Sequence, residues 1–447
     1  MNIAAGERSR RRRGHHRRLA ATAISVVLAG APAFGQWPQW GGPDRNFTAD
    51  TEGLAPSWPE GGPRRLWHRV LGDGFASIVV DGGLLFTMYR KQGLEEREYT
   101  VALDARTGQT VWEHANPAPL DQPVPEWGAG PNATPLVTGD LVCTIGSRSV
   151  MHCLNKRTGA LAWRRDLAAD FGAVTREPGY CCSPIAHDTK IIVPMGRDVR
   201  DLREADPSED ELLAGIRERS GGRSLVALER ESGRIVWQSQ DFEYGFSSPI
   251  LIEYAGKAQI VLIRSGKLLG VDAENGALLW HFALEDRGDH YMTPLWDGRE
   301  LVFCCSSGET AGARAVRLGQ RNGKIVPEQL WFSRKVSCSM GTPLRIGEYV
   351  FGSRGGAAET AVAVNLRTGK RAWIQRGVGE ASFVYGDGKV IYLDENGTLG
   401  LATFHPEGLT VHSKCQVTER WSLTVPTLVG TTLYVRDRKH IMALDLS

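Results

Sequence analysis

A short pattern that recurs along the chain constrains its fold more than any other feature. In this pattern, an apolar strand is followed by an acidic or amide residue, a short polar stretch, Gly, three residues and Trp. Five close copies occupy Val101–Trp112, Cys153–Trp163, Val226–Trp237, Leu269–Trp280 and Val364–Trp373, and a looser copy occupies Val316–Trp331. Repetition at one spacing indicates an array of similar units rather than unrelated hairpins.

Each copy has the chemistry of a β-hairpin. Alternating apolar residues supply two strands, and a Thr-Gly, Ser-Gly or Asn-Gly pair supplies the positive φ that a tight turn requires. The Trp then lies at a fixed place on the second strand, where we expect it to dock against the neighbouring unit.

A second hairpin precedes each copy and begins at a Ser-Pro, Thr-Pro or equivalent pair. Pro suits the first residue of a strand because its missing N–H is not needed there. The eight starts are Ala76-Ser77, Thr134-Pro135, Ser183-Pro184, Ser248-Pro249, Thr293-Pro294, Thr342-Pro343, Ser382-Phe383 and Val425-Pro426. Eight starts predict eight four-stranded antiparallel units, which make an all-β, eight-bladed β-propeller.

The last unit, from about Val425, has sequence for only three strands. The segment Arg65–His68 contains Trp67 at the expected position, so we expect it to supply the fourth strand and close the ring. Closure of this kind removes the free edges of an open sheet. The seventh unit, from Ser382 to about Val417, lacks the Trp and is degenerate.

The repeat element, as in Ala102, Asp104, Thr107, Gly108 and Trp112, resembles the tryptophan-docking repeat of quinoprotein alcohol dehydrogenases and of BamB-like propellers. The segments Trp37–Pro43 and Trp58–Pro63 are similar to the N-terminal part of secreted PQQ-like repeat proteins. The resemblance covers about residues 37 to 447. It implies a PQQ-like repeat β-propeller over residues 64–447, preceded by an N-terminal extension at 36–63.

Residues 1–35 have the organisation of a signal peptide. Seven Arg between Arg8 and Arg18 precede the apolar run Leu19–Gly30, and small residues at 31–35 offer a cleavage site. The run is too short to span a bilayer, which requires about 20 residues. We therefore expect a secreted or periplasmic protein that is monomeric and has no transmembrane segment after cleavage.

Removal of these residues changes the net charge. The whole chain has 53 Lys and Arg against 51 Asp and Glu, but the first 35 residues hold seven Arg and one Glu, which leaves 46 basic and 50 acidic side chains. A net charge of about −4 does not suit a nucleic-acid-binding surface, which is basic.

The eight Cys residues contain no Cys-x-x-Cys spacing, which excludes a covalently attached haem and the common zinc motifs. Cys181-Cys182 and Cys304-Cys305 are adjacent pairs that could each close a vicinal disulfide. Neighbouring side chains of a strand point to opposite faces, so we expect packed thiols instead.

Loops between strands of an antiparallel blade alternate between the two faces of the ring. The turn face carries the turns between first and second strands and the Thr-Gly turns. The insertion face carries the loops between second and third strands, where Arg90–Glu98, Arg197–Gly222, Ser306–Ala313 and Arg354–Glu359 are inserted. A capping box at Ser208–Glu211 predicts a helix over Glu209–Arg219, either a solvated cover or a lid.

The crossovers between units also reach the axis on the insertion face. They carry ten candidate ligand contacts, which are Trp127, Tyr180, Cys181, Cys182, Tyr244, Phe246, His290, Tyr291, Cys338 and Met340. Aromatic rings there could stack on a flat ligand, but the same residue types fill blade cores. His290, Cys182 and Met340 are residue types that bind a soft metal, although no local spacing supports a metal site.

Two classes of function fit these patterns. The favoured one is a non-catalytic module that binds an envelope or extracellular protein, a glycan or a small molecule on the insertion face. The alternative is a PQQ- and Ca-dependent oxidoreductase acting on an alcohol or sugar, which needs oxygen ligands and a carboxylate base. Its candidate carboxylates, which form no signature, are Glu126, Glu177, Glu243, Asp286 and Asp289.

The resemblance also implies a third possibility, a BamB-like factor that assembles outer-membrane proteins. No Cys follows the apolar run for lipid attachment, which counts against this role. The short blades leave little room for the long active-site insertions of quinoprotein dehydrogenases. We assign no residue as catalytic and expect no bound metal.

Overall fold

Short β-strands joined by tight turns make up almost all of the described chain. The computed structural model describes residues 35–447 except 92–95, 121–127, 175–178, 198–222, 265, 285–289, 308–311, 337–340 and 355–358. The strands are β1 (Arg64–Val70), β2 (Val79–Asp81), β3 (Leu84–Arg90), β4 (Arg97–Asp104), β5 (Thr110–Pro117), β6 (Leu136–Thr138), β7 (Leu141–Ile145), β8 (Val150–Asn155), β9 (Leu161–Asp166), β10 (Ile185–His187), β11 (Lys190–Pro194), β12 (Leu225–Glu229), β13 (Ile235–Ser239), β14 (Ile250–Tyr254), β15 (Lys257–Arg264), β16 (Lys267–Asp272), β17 (Leu278–Ala283), β18 (Leu295–Trp296), β19 (Leu301–Cys305), β20 (Ala313–Arg321), β21 (Lys324–Ser333), β22 (Leu344–Ile346), β23 (Tyr349–Arg354), β24 (Thr360–Asn365), β25 (Arg371–Arg376), β26 (Ala381–Gly386), β27 (Lys389–Asp394), β28 (Thr398–His405), β29 (Gly408–Gln416), β30 (Thr427–Val429), β31 (Thr432–Arg436) and β32 (His440–Asp445).

These strands form eight four-stranded antiparallel sheets, which confirms the predicted eight-bladed β-propeller. Blades 1 to 7 each take four consecutive strands, from β2–β5 to β26–β29. Blade 8 combines β30, β31 and β32 with β1, and Trp67 pairs with Ala443. The N-terminal strand therefore closes the ring, as the sequence predicts.

The acidic or amide residue of the repeat builds the turn between third and outer strands. In blade 1, Asp104 Oδ1 accepts hydrogen bonds from the backbone N–H of Arg106 and Thr107 at 3.0 and 2.9 Å and from the Thr107 hydroxyl at 3.0 Å. Gly108 follows with a φ of +69°, which side-chain-bearing residues rarely adopt. Asn155 and Asn365 make the same three contacts in blades 2 and 6.

A β-bulge follows the turn and orients the Trp. In blade 1, Leu103 pairs with Thr110 and Ala102 with Trp112, so Val111 is the extra residue. The bulged residue points outward, and Val111 is 48% exposed. The Trp beside it turns toward the next blade.

Five of the Trp side chains fit against the Gly turn of the following blade. A Cβ built on Gly108, Gly159, Gly233, Gly276 or Gly369 would lie 2.5–2.7 Å from the ring of Trp67, Trp112, Trp163, Trp237 or Trp331, respectively. The indole N–H groups of Trp67, Trp112, Trp163 and Trp331 also donate to backbone carbonyls of the next blade at 2.7–3.0 Å. At these five turns Gly is therefore required by the neighbouring ring as well as by the turn, which confirms Trp docking between units. Trp280 differs, because its indole N–H donates to Gln259 of its own blade at 2.7 Å.

Blade 7, which lacks the Trp, uses a residue from outside the ring. Ser413 pairs with Leu401 next to the bulge, where the other blades place Trp. The Trp58 backbone N–H donates to Ser413 Oγ at 2.7 Å, and the Trp58 side chain is only 8% exposed. Leu54 lies in the same core cluster, and the Ala55 N–H donates to Leu446 O of blade 8 at 2.7 Å. The N-terminal extension thus covers the seam between blades 7 and 8.

The earlier part of the extension crosses the centre of the ring; we call residues Trp37–Thr48 the axial segment. Trp37 pairs with Val80 of blade 1, and Thr48 pairs with Tyr385 of blade 7. Trp40 Nε1 donates to Thr293 Oγ1 at the start of blade 5, at 2.8 Å. Because blades 1 and 5 lie opposite each other in a ring of eight, the axial segment spans the central channel.

A buried disulfide joins Cys143 to Cys153 across β7 and β8. Cys304 and Cys305 pack in different core clusters on opposite faces of β19, which agrees with the strand argument against a vicinal bridge. The predicted signal peptide and the predicted helix at 209–219 lie outside the described residues. Within the described ranges, no helix has the length and hydropathy needed to cross a membrane. A short helix, α1 (Leu167–Phe171), precedes blade 3.

Candidate functional site

The insertion face gathers the predicted insertions and crossovers. The segments at 90–98, 197–222, 306–313 and 354–359 all join second to third strands, as predicted. The crossover before blade 4 carries Tyr244 and Phe246, and the crossover before blade 5 carries His290 and Tyr291. Two adjacent crossovers therefore bring several of the candidate residues to one part of this face.

Three aromatic rings from these crossovers form a contiguous cluster, which we call the aromatic cluster (Tyr244, Phe246 and Tyr291). The Phe246 and Tyr291 rings are stacked with centroids 4.9 Å apart, and Tyr244 meets Phe246 edge-on at 5.4 Å. Phe246 and Tyr291 are partly exposed, whereas Tyr244 is buried. Pairs at these distances gain energy beyond the burial of their area.

Hydrogen bonds to the crossover before blade 3 fix the base of the aromatic cluster. The Tyr244 hydroxyl donates to Gly179 O at 2.8 Å and accepts from the Cys181 backbone N–H at 3.1 Å. Burial raises the pKa of Tyr244, so this hydroxyl keeps its proton at neutral pH and remains a donor. The cluster is consequently held in one orientation by three consecutive blades.

Tyr180 and Cys182 point into the core between blades. Both side chains are 1% exposed, and the Tyr180 hydroxyl donates to Pro194 O at 2.6 Å. Cys182 Sγ donates to Gly245 O at 2.9 Å and accepts from Arg264 Nη2 at 2.9 Å. These two side chains stabilise the crossovers, and their use as direct ligand contacts stays a prediction.

The environment of the adjacent thiols does not favour thiolates. Burial raises the pKa of Cys181 to about 12, with a smaller contribution from Cys182. Burial also raises the pKa of Cys182, although Arg264 opposes the effect. A soft metal binds the thiolate form, so the environment works against metal binding by Cys182.

Arg264 was not identified from the sequence, yet it links the crossovers before blades 3 and 4. It ends β15, is 2% exposed, and donates from Nη1 to Ser247 O at 2.9 Å. Its only sequence signal is a charged residue directly after the apolar run Ile260–Ile263. That pattern alone does not distinguish a buried Arg from the solvated end of a strand.

Several predicted residues lie outside the described part of the chain. They are the candidate ligand contacts Trp127, Cys338 and Met340 and the candidate carboxylates Glu126, Glu177, Asp286 and Asp289. His290 is partly exposed beside Tyr291, and the backbone of Glu243 pairs with that of Arg197.

Three of the candidate residues have no accessible surface for a quinone cofactor. A flat tricyclic quinone needs an open cavity for its rings, but Tyr180, Cys182 and Tyr244 are at most 9% exposed. Their polar atoms are already bonded to protein groups. No catalytic step through a quinone follows from these residues.

A group of metal-ligand types occurs on the turn face, between blades 3 and 4. Ligand atoms of His187, Asp188 and Glu274 lie within 4.8 Å of one another. Glu274 Oε1 is 2.6 Å from His187 Nε2, and Oε2 is 2.8 Å from Lys190 Nζ. The hydrogen bond from Lys190 contributes most to lowering the pKa of Glu274. Because both carboxylate oxygens are paired, the group acts as an ion-pair network that joins the two blades.

Comparison with known proteins supports the fold and assigns a family. The family model of the outer membrane protein assembly factor BamB matches residues 96–375, more than half of the chain. No curated protein matches the chain by sequence.

Three solved structures share the architecture at low identity. BamB from Moraxella catarrhalis is 15% identical, with 86% of this chain and 97% of that chain covered and a TM-score of 0.56. Quinohemoprotein alcohol dehydrogenase ADHIIG from Pseudomonas putida HK5 is 11% identical, with 92% and 80% covered and a TM-score of 0.60. The computationally designed Ika8 protein is 8% identical, with 86% and 100% covered and a TM-score of 0.55. At these identities the similarity shows the fold alone.

Proposed function

The chain belongs to the family of the outer membrane protein assembly factor BamB, and from that membership we propose that it is an exported, non-catalytic propeller that binds a protein partner in the cell envelope. The partner contacts the insertion face, and residues 1–35 direct export and are then removed. The observation that carries the proposal is the stacked, partly exposed Phe246–Tyr291 pair of the aromatic cluster.

Protein interfaces concentrate their binding energy in a few aromatic anchors that are held rigidly before binding. Phe246 and Tyr291 meet this requirement because Tyr244 and its hydrogen bonds support them from below. Binding residues are often carried by the loops of a rigid scaffold, which also favours the face where the insertions occur.

A site-specific crosslinking experiment tests the contact surface. A photoreactive phenylalanine analogue replaces Tyr291 in cells that export the full chain, and the same analogue replaces Val326 as a control. Val326 is 38% exposed on the outer strand of blade 5, beside the turn that joins β20 to β21 on the turn face. We expect a crosslinked partner from position 291 only, and F246A should weaken it by about tenfold or more, as for an aromatic hot spot.

Several outcomes would overturn the proposal. An equal crosslink from position 326 would do so, as would an unchanged crosslink in F246A when V326A is also unchanged. Retention of pyrroloquinoline quinone absorbance through gel filtration, after the purified protein is mixed with the quinone and Ca²⁺, would also overturn it. Crosslinking to a glycan instead of a protein would also contradict the proposed partner class.

The N-terminus of the exported protein tests the localisation separately. Sequencing of the protein from the envelope fraction should begin at Phe34 or Gln36, which are the residues after the two candidate cleavage sites. An intact N-terminus in the cytoplasmic fraction would contradict export while leaving the binding surface open to test.

A further inference from the structure

A pocket of about 190 Å³ opens on the turn face, between the axial segment and the inner strands of blades 4, 5 and 6. Its wall is apolar on the blade side, with Ile250, Leu251, Leu295 and Trp296. Its other side is formed by Arg45 and neighbouring residues of the axial segment. At about 30 Å³ per water molecule, the pocket has room for about six waters or a small organic molecule.

Arg45 presents a buried positive charge to this pocket. Its side chain is 7% exposed and donates from Nη2 to Gln39 Oε1. Among the described ion pairs, none includes Arg45, so no carboxylate of the described protein neutralises this guanidinium. Burial lowers the pKa of Arg45 to about 9, which still leaves it charged at neutral pH. A buried charge without a counter-ion is unfavourable, and a bound anion removes that cost.

The remaining lining indicates what kind of anion is suitable. Arg345 adds a second guanidinium, held by a hydrogen bond from Nη1 to Gly347 O at 2.8 Å. A guanidinium matches the two oxygens of a carboxylate in a bidentate geometry. The apolar wall requires that the rest of the ligand be apolar, which inorganic phosphate or sulfate does not offer.

We propose that this pocket binds a small organic carboxylate, whose charged end pairs with Arg45 and whose apolar body packs against Leu251 and Trp296. The site is separate from the aromatic cluster, since it lies on the turn face and is formed partly by the N-terminal extension. It adds a small-molecule ligand to a propeller whose proposed protein contact is on the insertion face.

Titration calorimetry on the full mature protein tests the charge requirement with benzoate, its neutral analogue benzamide, and inorganic phosphate. We expect benzoate to bind and to raise the Tm, because a ligand that binds only the folded state stabilises it. Benzamide and phosphate should bind at least about tenfold more weakly, since each lacks either the charge or the apolar body.

Four variants assign the binding to the pocket. R45M should weaken benzoate binding by about tenfold or more and, without ligand, raise the Tm because an uncompensated buried charge is gone. D44N should strengthen binding by about twofold, since Asp44 is a like charge in the lining. L251W should fill the pocket and abolish binding without touching Arg45. R371M, which removes an exposed Arg from the outer strand of blade 6, should bind as the wild type does.

The proposal is overturned if benzoate does not bind, if benzamide binds as tightly, or if phosphate binds more tightly. It is also overturned if L251W, folded by its Tm, binds benzoate normally. These results are independent of the crosslink at position 291, so failure of one site leaves the other intact.

Discussion

A Trp side chain fills both the seam between blades 2 and 3 and the seam between blades 7 and 8. The repeat supplies it at the first seam, and the N-terminal extension supplies it at the second. At the first seam, Trp163 of the repeat lies against Gly233, and its Nε1 donates to Arg230 O at 2.8 Å. At the second, Ser413 occupies the equivalent strand position and Trp58 arrives from a segment 355 residues away. Both Trp side chains are 8% exposed.

The two seams differ in polar contacts rather than in apolar burial. Trp58 Nε1 is buried and has no hydrogen-bond partner among the described residues, whereas Trp163 Nε1 has one. A buried N–H without a partner lowers the net gain from docking by about 1–3 kcal/mol. Burial of a large apolar side chain is therefore common to both seams. The indole hydrogen bond is an additional contribution that only the Trp of the repeat makes.

The largest expected effect comes from removing each Trp. W163A should lower the free energy of unfolding by about 3–5 kcal/mol, and W58A by about 1 kcal/mol less, because it loses no indole hydrogen bond. Denaturant midpoints measure the two losses, and amide hydrogen exchange locates them in blades 2 and 3 or in blades 7 and 8. Equal losses, or exchange that rises throughout the ring in both variants, would contradict the comparison.

Acid should destabilise blade 2, which forms one side of the first seam. Burial, with smaller contributions from His114 and Arg164, lowers the pKa of His152 in blade 2 to about 4. The unfolded chain has a His pKa of about 6.5, so it takes up the proton first as the pH falls. Stability should therefore fall by about 3 kcal/mol between pH 6.5 and 4 and change little below pH 4 from this group.

Urea unfolding of H152Q at pH 7 and pH 4 checks this expectation. The variant should lose much less stability on acidification than the wild type. His412, exposed at the bulge position of blade 7, provides the control, and H412Q should keep the wild-type acid response. The same acid response in H152Q and wild type would show that other groups are responsible.

The smallest expected effect distinguishes the two reasons why the repeat turn requires Gly, which are its positive φ and the close approach of the Trp ring. Gly233 and Gly256 have φ values of +67° and +73°, but a Cβ at 233 meets the Trp163 ring at 2.5 Å, whereas one at 256 meets nothing within 4 Å. G256A should cost about 1 kcal/mol for the backbone conformation alone. G233A should cost about 1–2 kcal/mol more because of crowding, as measured by thermal unfolding. Equal costs would mean that the Trp ring moves aside freely.

The blade count was predictable because the information is local. Asp104, Thr107 and Gly108 build their turn from contacts within four residues, and the Trp follows at a set distance. Ring closure was also predictable, since only Arg65–His68 offered a further strand with Trp at the expected place. The contact of Trp58 with Ser413 has no such local signature. The sequence therefore predicts that an N-terminal extension exists, but not which blade it contacts.

The candidate site was predictable as a face but not as a set of exposed side chains. Tyr180 and Tyr291 both precede the start of an inner strand by a few residues, yet Tyr180 is fully buried and Tyr291 is partly exposed. The difference depends on the path of each crossover, which long-range packing decides. The disulfide between Cys143 and Cys153 depends similarly on strand register, which places the two residues directly opposite each other.

The closure of blade 8 by β1 also delays one step of folding. Strand β1 stays unpaired until Asp445, the partner of Arg64, has been synthesised 381 residues later. At about 5–20 residues per second of synthesis, that delay lasts about 20–80 s. During this interval the first strand to be made is an unpaired edge and prone to wrong pairing. The last strand to be made is therefore the one that turns an open, vulnerable array into a ring.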